Sequence, residues 1–144
     1  MTTRVRLTLA AALVLISAPA AQACWNEVGL KYGISPDLLF AIARTESNLN
    51  PLAVNRANAN GSYDVGLMQI NSTWFPRLRE LGIDEQQLFD ACVNLEVGAW
   101  ILAQNMRRLG RSWDAIGAYN ASSPDKRLRY ARQVYRNLPA AMRD

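Results

Sequence analysis

Two cysteines constrain this chain more than any other feature. Cys24 and Cys92 are the only ones in 144 residues. The segment in front of them explains their weight. Residues 1–23, MTTRVRLTLAAALVLISAPAAQA, carry Arg4 and Arg6, then an apolar run from about Leu7 to Ile16, and end on Ala21-Gln22-Ala23. That is the layout of a secretory signal peptide with a small-x-small cleavage site. The apolar run is shorter than the ~20 residues a spanning helix needs. A cleaved signal is therefore expected rather than a stable membrane anchor, with a mature chain that starts at Cys24 in the periplasm. Lipidation of Cys24 is not expected, because a lipobox usually has Leu where this chain has Ala21. In an exported chain, a lone pair of cysteines most simply forms one disulfide. It would tie the new N-terminus to the middle of the domain, and in the loop-entropy account a bridge over so long a loop is worth roughly 4–5 kcal/mol.

Residues 24–144 are enough for one domain. The full chain carries a net charge of +4, and without Arg4 and Arg6 it carries +2. Charge this mild and scattered does not point to nucleic acid. The exception is the basic stretch DKRLRYARQVYR, residues 125–136. It reads either as a solvated helix face or as a docking surface for an anionic polymer. The chain has no histidine, which excludes Ser-His-Asp and Cys-His chemistry and every zinc site built on imidazole. No CxxC and no glycine-rich phosphate loop occurs. No cofactor or metal is expected, and any chemistry must rest on carboxylates, amides and hydroxyls.

Helical patterns dominate. Residues 24–33 read as a short helix stopped by Gly33. Residues 35–47 carry three start signals: Ser35 at the N-cap, Pro36 at the first helical position and Asp37 in the first turn. Residues 48–64 are polar, with Asn60-Gly61 as a turn, and read as a long loop or small hairpin. Residues 66–82 read as a turn or short helix running into a second helix, and 84–90 as a further short one. The longest pattern, 92–110, places Val93, Val97, Trp100, Ile101 and Met106 on much of one face, with Gly110 as its stop. Ser112 caps 113–120, and 125–138 aligns Leu128, Ala131, Tyr135 and Leu138. The expected fold class is mainly α: one helical domain with at most one small β-hairpin near residues 53–65 and one disulfide.

Within 35–47, Leu39, Ile42 and Ala43 define an inward face, and Glu46 follows them at seven, four and three residues. It also sits in the last turn, where the helix dipole disfavours negative charge. Burial and dipole would both raise its pKa, which suits a general acid. The pattern equally fits a frayed helix end with Glu46 in solvent or paired to Arg44.

Three motifs bear on that choice. TESNLNP at 45–51 is followed by GSYDVGLMQIN at 61–71 and AIGAYNAS at 115–122. In order, Glu46-Ser47, Gly66 to Ile70 and Ala118 to Asn120 closely resemble the lytic transglycosylases, peptidoglycan-cleaving enzymes of lysozyme-like fold. The resemblance spans nearly all of 24–144. It is nearest to the small members that accompany type III secretion, conjugation and type IV pilus systems, which the cysteine positions also match. The resemblance implies a monomer acting on peptidoglycan glycan strands, with components of a type III or type IV secretion or pilus apparatus as partners. It implies Glu46 as the one catalytic carboxylate, first protonating the glycosidic oxygen between N-acetylmuramic acid and N-acetylglucosamine, then serving as base toward the sugar's 6-hydroxyl. Ser47 would orient Glu46 or touch the sugar. Met68, Gln69 and Asn71 would line the cleft, with Met68 equally readable as a core filler. Tyr119 would stand near Glu46, and Asn120 would hold the loop or the sugar.

The chain departs from the family after Asn120, where Ala121-Ser122-Ser123 replaces a glycine-containing continuation. The loop there is expected to differ in shape. Two other functions stay open. A lysozyme-type hydrolase would use Asp64 as a second carboxylate. A non-catalytic wall-binding component would keep the fold as a scaffold.

Overall fold

The structure, a computed structural model, describes residues 20–143. The expected signal segment lies outside the described residues except for its last four, which open the first helix. Six α-helices follow in order: α1 (Ala20–Tyr32), α2 (Pro36–Ser47), α3 (Phe75–Glu80), α4 (Ala91–Leu109), α5 (Trp113–Gly117) and α6 (Pro124–Asn137). Three two-residue strands lie between α2 and α3: β1 (Val54–Asn55), β2 (Asp64–Val65) and β3 (Ile70–Asn71). The mainly helical fold class holds, with one small sheet and one disulfide.

α4 is the axis of the molecule. Leu95, Ala99 and Leu102 are fully buried on it, and Val97 and Ile101 nearly so. Of the face expected from sequence, Val93, Trp100 and Met106 are only half-buried. α1, α2, α5 and β3 all pack on α4, so it is enclosed on several sides and no single stripe describes it. The disulfide joins Cys24 to Cys92 with Cα atoms 5.8 Å apart and clamps α1 to the start of α4. A Lys31–Glu96 ion pair spans the same two helices.

α6 corrects a stripe. Its buried residues are Tyr130, Ala131 and Val134, continued by Leu138, while Leu128 and Tyr135 are exposed. Residues seven apart share a face but not always the inward one. Here Tyr135 stacks edge-on with Trp113 on the surface, ring centres 5.6 Å apart.

α2 starts as expected, with Pro36 in its first turn, although the Ser35 side chain makes no capping bond. It ends abruptly. Asn48 (φ 54°) and Leu49 (φ 65°) both lie in the left-handed region, and the Asn48 N–H closes the helix on the carbonyls of Ala43 and Arg44. A branched apolar residue there is strained. The turn swings the chain away one residue past Ser47 and leaves Glu46 at the rim of the helix.

The sheet is antiparallel in the order β1-β2-β3, pairing Val54 with Val65 and Val65 with Ile70. It extends past the expected 53–65 region into the second motif. Residues 66–69 therefore form a hairpin turn, not the short helix that was one reading of this stretch. Positive φ at Gly66 (80°) and Gln69 (49°) is incompatible with a helix.

Candidate active site

The hairpin is held by one residue that sequence reading missed. Asn94 on α4 is the one buried polar side chain among the described residues, at 0 % exposure. Its Oδ1 accepts the Met68 N–H at 2.7 Å, and its Nδ2 donates to the carbonyls of Val65 (3.0 Å) and Leu88 (2.8 Å). Every bond goes to backbone, so the amide acts as a surrogate strand between helix and turn. The contact is close: a Cβ on Gly66 would lie 2.1 Å from Nδ2. The available signal was an amide set between Val93 and Leu95 in the first half of the helix.

This anchoring changes two expected roles. Met68 is fully buried and packs against Gly98, so its side chain does not line the cleft and the core-filler reading holds. Ser47 contacts neither Glu46 nor the cleft. Its hydroxyl donates to the Leu67 carbonyl at 2.7 Å and to that of Ala43 at 3.2 Å, and accepts the Asn50 N–H at 3.1 Å. It pins the hairpin to the end of α2. Tyr119 faces the cleft, and its hydroxyl is committed to the Met68 carbonyl at 2.9 Å.

The cleft is about 650 Å³ and runs between the end of α2, the sheet, α4 and the α5–α6 loop. Glu46 lies on its wall. Loss of hydration raises the Glu46 carboxyl from an ordinary 4.5 to about 7, helped by the negative charge of Asp64 and opposed by hydrogen bonds from Tyr130 and Asn120. The Tyr130 hydroxyl donates to Glu46 Oε1 at 2.5 Å. Burial and the facing Glu46 hold the Tyr130 proton on, pushing its pKa up. Tyr130 was hidden in the basic 125–136 stretch, and nothing in its local pattern links it to a residue 84 positions away. The solvent-exposed and Arg-paired readings of Glu46 do not hold.

Asp64 lines the same cleft but is tied down. Its Oδ1 accepts Asn71 Nδ2 at 2.7 Å, and its Oδ2 accepts Asn58 Nδ2 at 2.9 Å and Asn55 Nδ2 at 3.2 Å. Three amides around one carboxylate form a rigid polar wall. Asn71 also bonds Ser62 through Nδ2 and accepts the Thr73 N–H, so both its amide hydrogens are used and Oδ1 keeps one acceptor position. Gln69 differs. Its Nε2 donates to the carbonyls of Gly66 (2.9 Å) and Ala53 (3.2 Å). Two carbonyl partners fix the amide's orientation and leave Oε1 as an acceptor at the cleft. Trp74, edge-on to Trp100 at 5.4 Å, adds an aromatic wall. Ile101 and Asn120 complete the lining. Among the described residues, no group of three His, Cys, Asp or Glu side chains could hold a metal ion.

One perturbed carboxyl in a long groove lined by amides and an aromatic ring suits acid–base cleavage of a carbohydrate polymer. Comparisons with known proteins agree. The family described as "Transglycosylase SLT domain" matches residues 23–139. The chain is 47% identical over 118 residues to protein IpgF of Shigella sonnei, covering 78% of this chain and 77% of that protein. It is 44% identical over 119 residues to invasion protein IagB of Salmonella typhimurium strain SL1344, covering 79% and 74%. Among solved structures it resembles an inactive glutamate-to-glutamine mutant of lytic transglycosylase Slt from Pseudomonas aeruginosa. The TM-score is 0.66 at 24% identity, and the match covers 82% of this chain but only 23% of that one.

Proposed function

The chain belongs to the transglycosylase SLT domain family and is a peptidoglycan lytic transglycosylase, and we propose that Glu46 performs both proton transfers of its reaction. Tyr130 occupies Oε1 as donor, so the transferable proton sits on the other carboxyl oxygen. Glu46 gives it to the oxygen of the β-1,4 bond between N-acetylmuramic acid and N-acetylglucosamine as the bond to C1 breaks. The resulting carboxylate takes the proton of the muramic 6-hydroxyl as O6 closes on C1. Glu46 ends protonated, and the product is a 1,6-anhydro sugar formed without water. Gln69 Oε1 accepts from the sugar, and Asn120 hydrogen-bonds Glu46.

The observation that carries this reading is the contrast between the two acids of the cleft. Glu46 titrates at about 7 and can both give and take a proton near neutrality. Asp64 spends both oxygens on asparagine amides, a poor state for a nucleophile or a water-holding base. Its presence in the cleft still favours the lysozyme-type hydrolase as the second reading.

The mass of sugars released from purified wall tests the proposal. Anhydro ends, one water lighter, support it. Hydrated ends favour the hydrolase, and no release favours a wall-binding scaffold. The expected site of action is the periplasm, where local opening of the wall would serve a secretion, conjugation or pilus apparatus. No helix among the described residues is long and apolar enough to cross a membrane.

A further inference from the structure

The outer face of α6 carries apolar side chains left in solvent. Leu128 and Tyr135 on α6 and Trp113 at the start of α5 are 51 %, 39 % and 43 % exposed. With Ala131 and Arg132 they line one recess of about 250 Å³. The Tyr135 hydroxyl donates to the Arg143 carbonyl, which brings the C-terminal turn and exposed Met142 to the end of the same stripe. A single exposed apolar residue is ordinary, but a contiguous group with two large rings marks a contact surface.

Charge narrows the choice of partner. α6 has five cations, Lys126, Arg127, Arg129, Arg132 and Arg136, against one acid, Asp125. Arg127 is turned onto Asp114, and Arg129 pairs with Asp125. Both side chains of the second pair are mostly in water, so it competes weakly. Lys126, Arg132 and Arg136 make no ion pair among the described residues. Cations strung along a helix, rather than converging on one point, suit a continuous layer of anions. No amide or carboxylate side chain lines the recess, whereas six amides line the catalytic cleft. Sugar hydroxyls would find little to bond there. Rings with polar tips, beside a leucine and arginines, have the composition of a helix face that settles at a lipid headgroup layer.

We propose that this stripe is a docking surface for an anionic lipid bilayer. Trp113, Leu128 and Tyr135 enter the headgroup layer, and Arg129, Arg132 and Arg136 pair with lipid phosphates. The contact is peripheral and reversible. At ~100° per residue, Leu128, Arg132 and Tyr135 lie roughly 140–160° around α6 from Tyr130, whose hydroxyl holds Glu46. A docked bilayer therefore leaves the cleft open. The docking does not depend on the chemistry assigned to Glu46.

The test uses the chain purified after export, its mass checked so that the apolar run near the start cannot itself bind lipid. The probes are vesicles of equal parts phosphatidylglycerol and phosphatidylcholine, and vesicles of phosphatidylcholine alone. Sedimentation should pellet the protein with the first and leave it in solution with the second. Arg132→Gln combined with Arg136→Gln should weaken binding about tenfold to thirtyfold, the yield of two cations near an anionic surface. Trp113→Ala should weaken it about tenfold at unchanged charge, from partial burial of the exposed ring. The arginine changes lie on the surface and should leave the urea midpoint in place. If the Trp113→Ala midpoint falls, Leu128→Gln, which has no ring contact to lose, repeats that arm. Failure to pellet with phosphatidylglycerol vesicles, equal pelleting with both kinds, or full binding by the folded variants overturns the proposal. Binding to soluble polyglutamate without binding to vesicles would also overturn it and give the stripe to an acidic protein.

Discussion

Replacing Glu46 by glutamine should abolish cleavage and yet stabilise the protein at alkaline pH. Glutamine keeps the shape and still offers Oε1 to Tyr130, but it cannot ionise. A carboxyl that titrates at about 7 when folded and 4.5 otherwise holds its proton more tightly in the folded chain. Between those values the folded state binds more protons at this site than the unfolded state. Stability from this group is therefore full below about pH 4.5, falls as pH rises to about 7, and stays low above it. At ~1.4 kcal/mol per pH unit the total is about 3 kcal/mol. Other groups titrate equally in both proteins and cancel in the comparison. Urea unfolding at pH 4 should give the two nearly equal stability, and at pH 8 the variant should lead by about 3 kcal/mol. Wall cleavage should drop by at least the ~10²–10⁴-fold typical of lost acid–base help. A stability difference that stays flat from pH 4 to 8 would refute the claim that this carboxyl is desolvated. Near-normal activity in the folded variant would remove Glu46 from the mechanism.

The same logic assigns opposite signs to its neighbours. Asp64→Asn removes a charge that raises the Glu46 pKa, so the alkaline limb of the pH–rate profile should move to lower pH, with substantial activity kept and products still one water lighter. If that variant is folded but as inactive as Glu46→Gln, and the wild type releases hydrated sugars, the two-carboxylate mechanism takes over. Tyr130→Phe removes a bond that lowers the Glu46 pKa, so the alkaline limb should move up while turnover falls; an unmoved limb would deny Tyr130 its place on the acid. Asn94→Ala strands one buried N–H and two carbonyls and should cost about 4 kcal/mol, seen as a lowered urea midpoint at unchanged slope. A loss below about 1 kcal/mol would mean that the hairpin does not depend on this amide.

Local chemistry carried much of the fold. Pro36, Gly110 and Ser112 mark helix ends because their signals act within a turn or two, and Ser112 does accept the Ala115 N–H. The cysteine pair was legible because only two exist, which leaves one possible bridge. Three apolar residues at helical spacing put Glu46 on the inward face but left a solvent-exposed end open, and the three motifs read together singled it out. What lay outside local reach was every contact made across the chain. The 66–71 motif carries no strong strand signal, and it becomes a hairpin because Asn94, from a helix far along the sequence, supplies its missing hydrogen bonds. The α6 sequence pattern favours Tyr135 over Tyr130 for the inward stripe, and only packing against α2 and α5 decides that Tyr130 faces the acid. Met68 and Ser47 belong to the motif by sequence, but tertiary packing places one in the core and the other under the hairpin. The type of the group proposed to transfer the proton was therefore set by the sequence alone. Its proton affinity was set by the fold, because desolvation and a hydroxyl donor from 84 residues away exist only once the chain has closed around it.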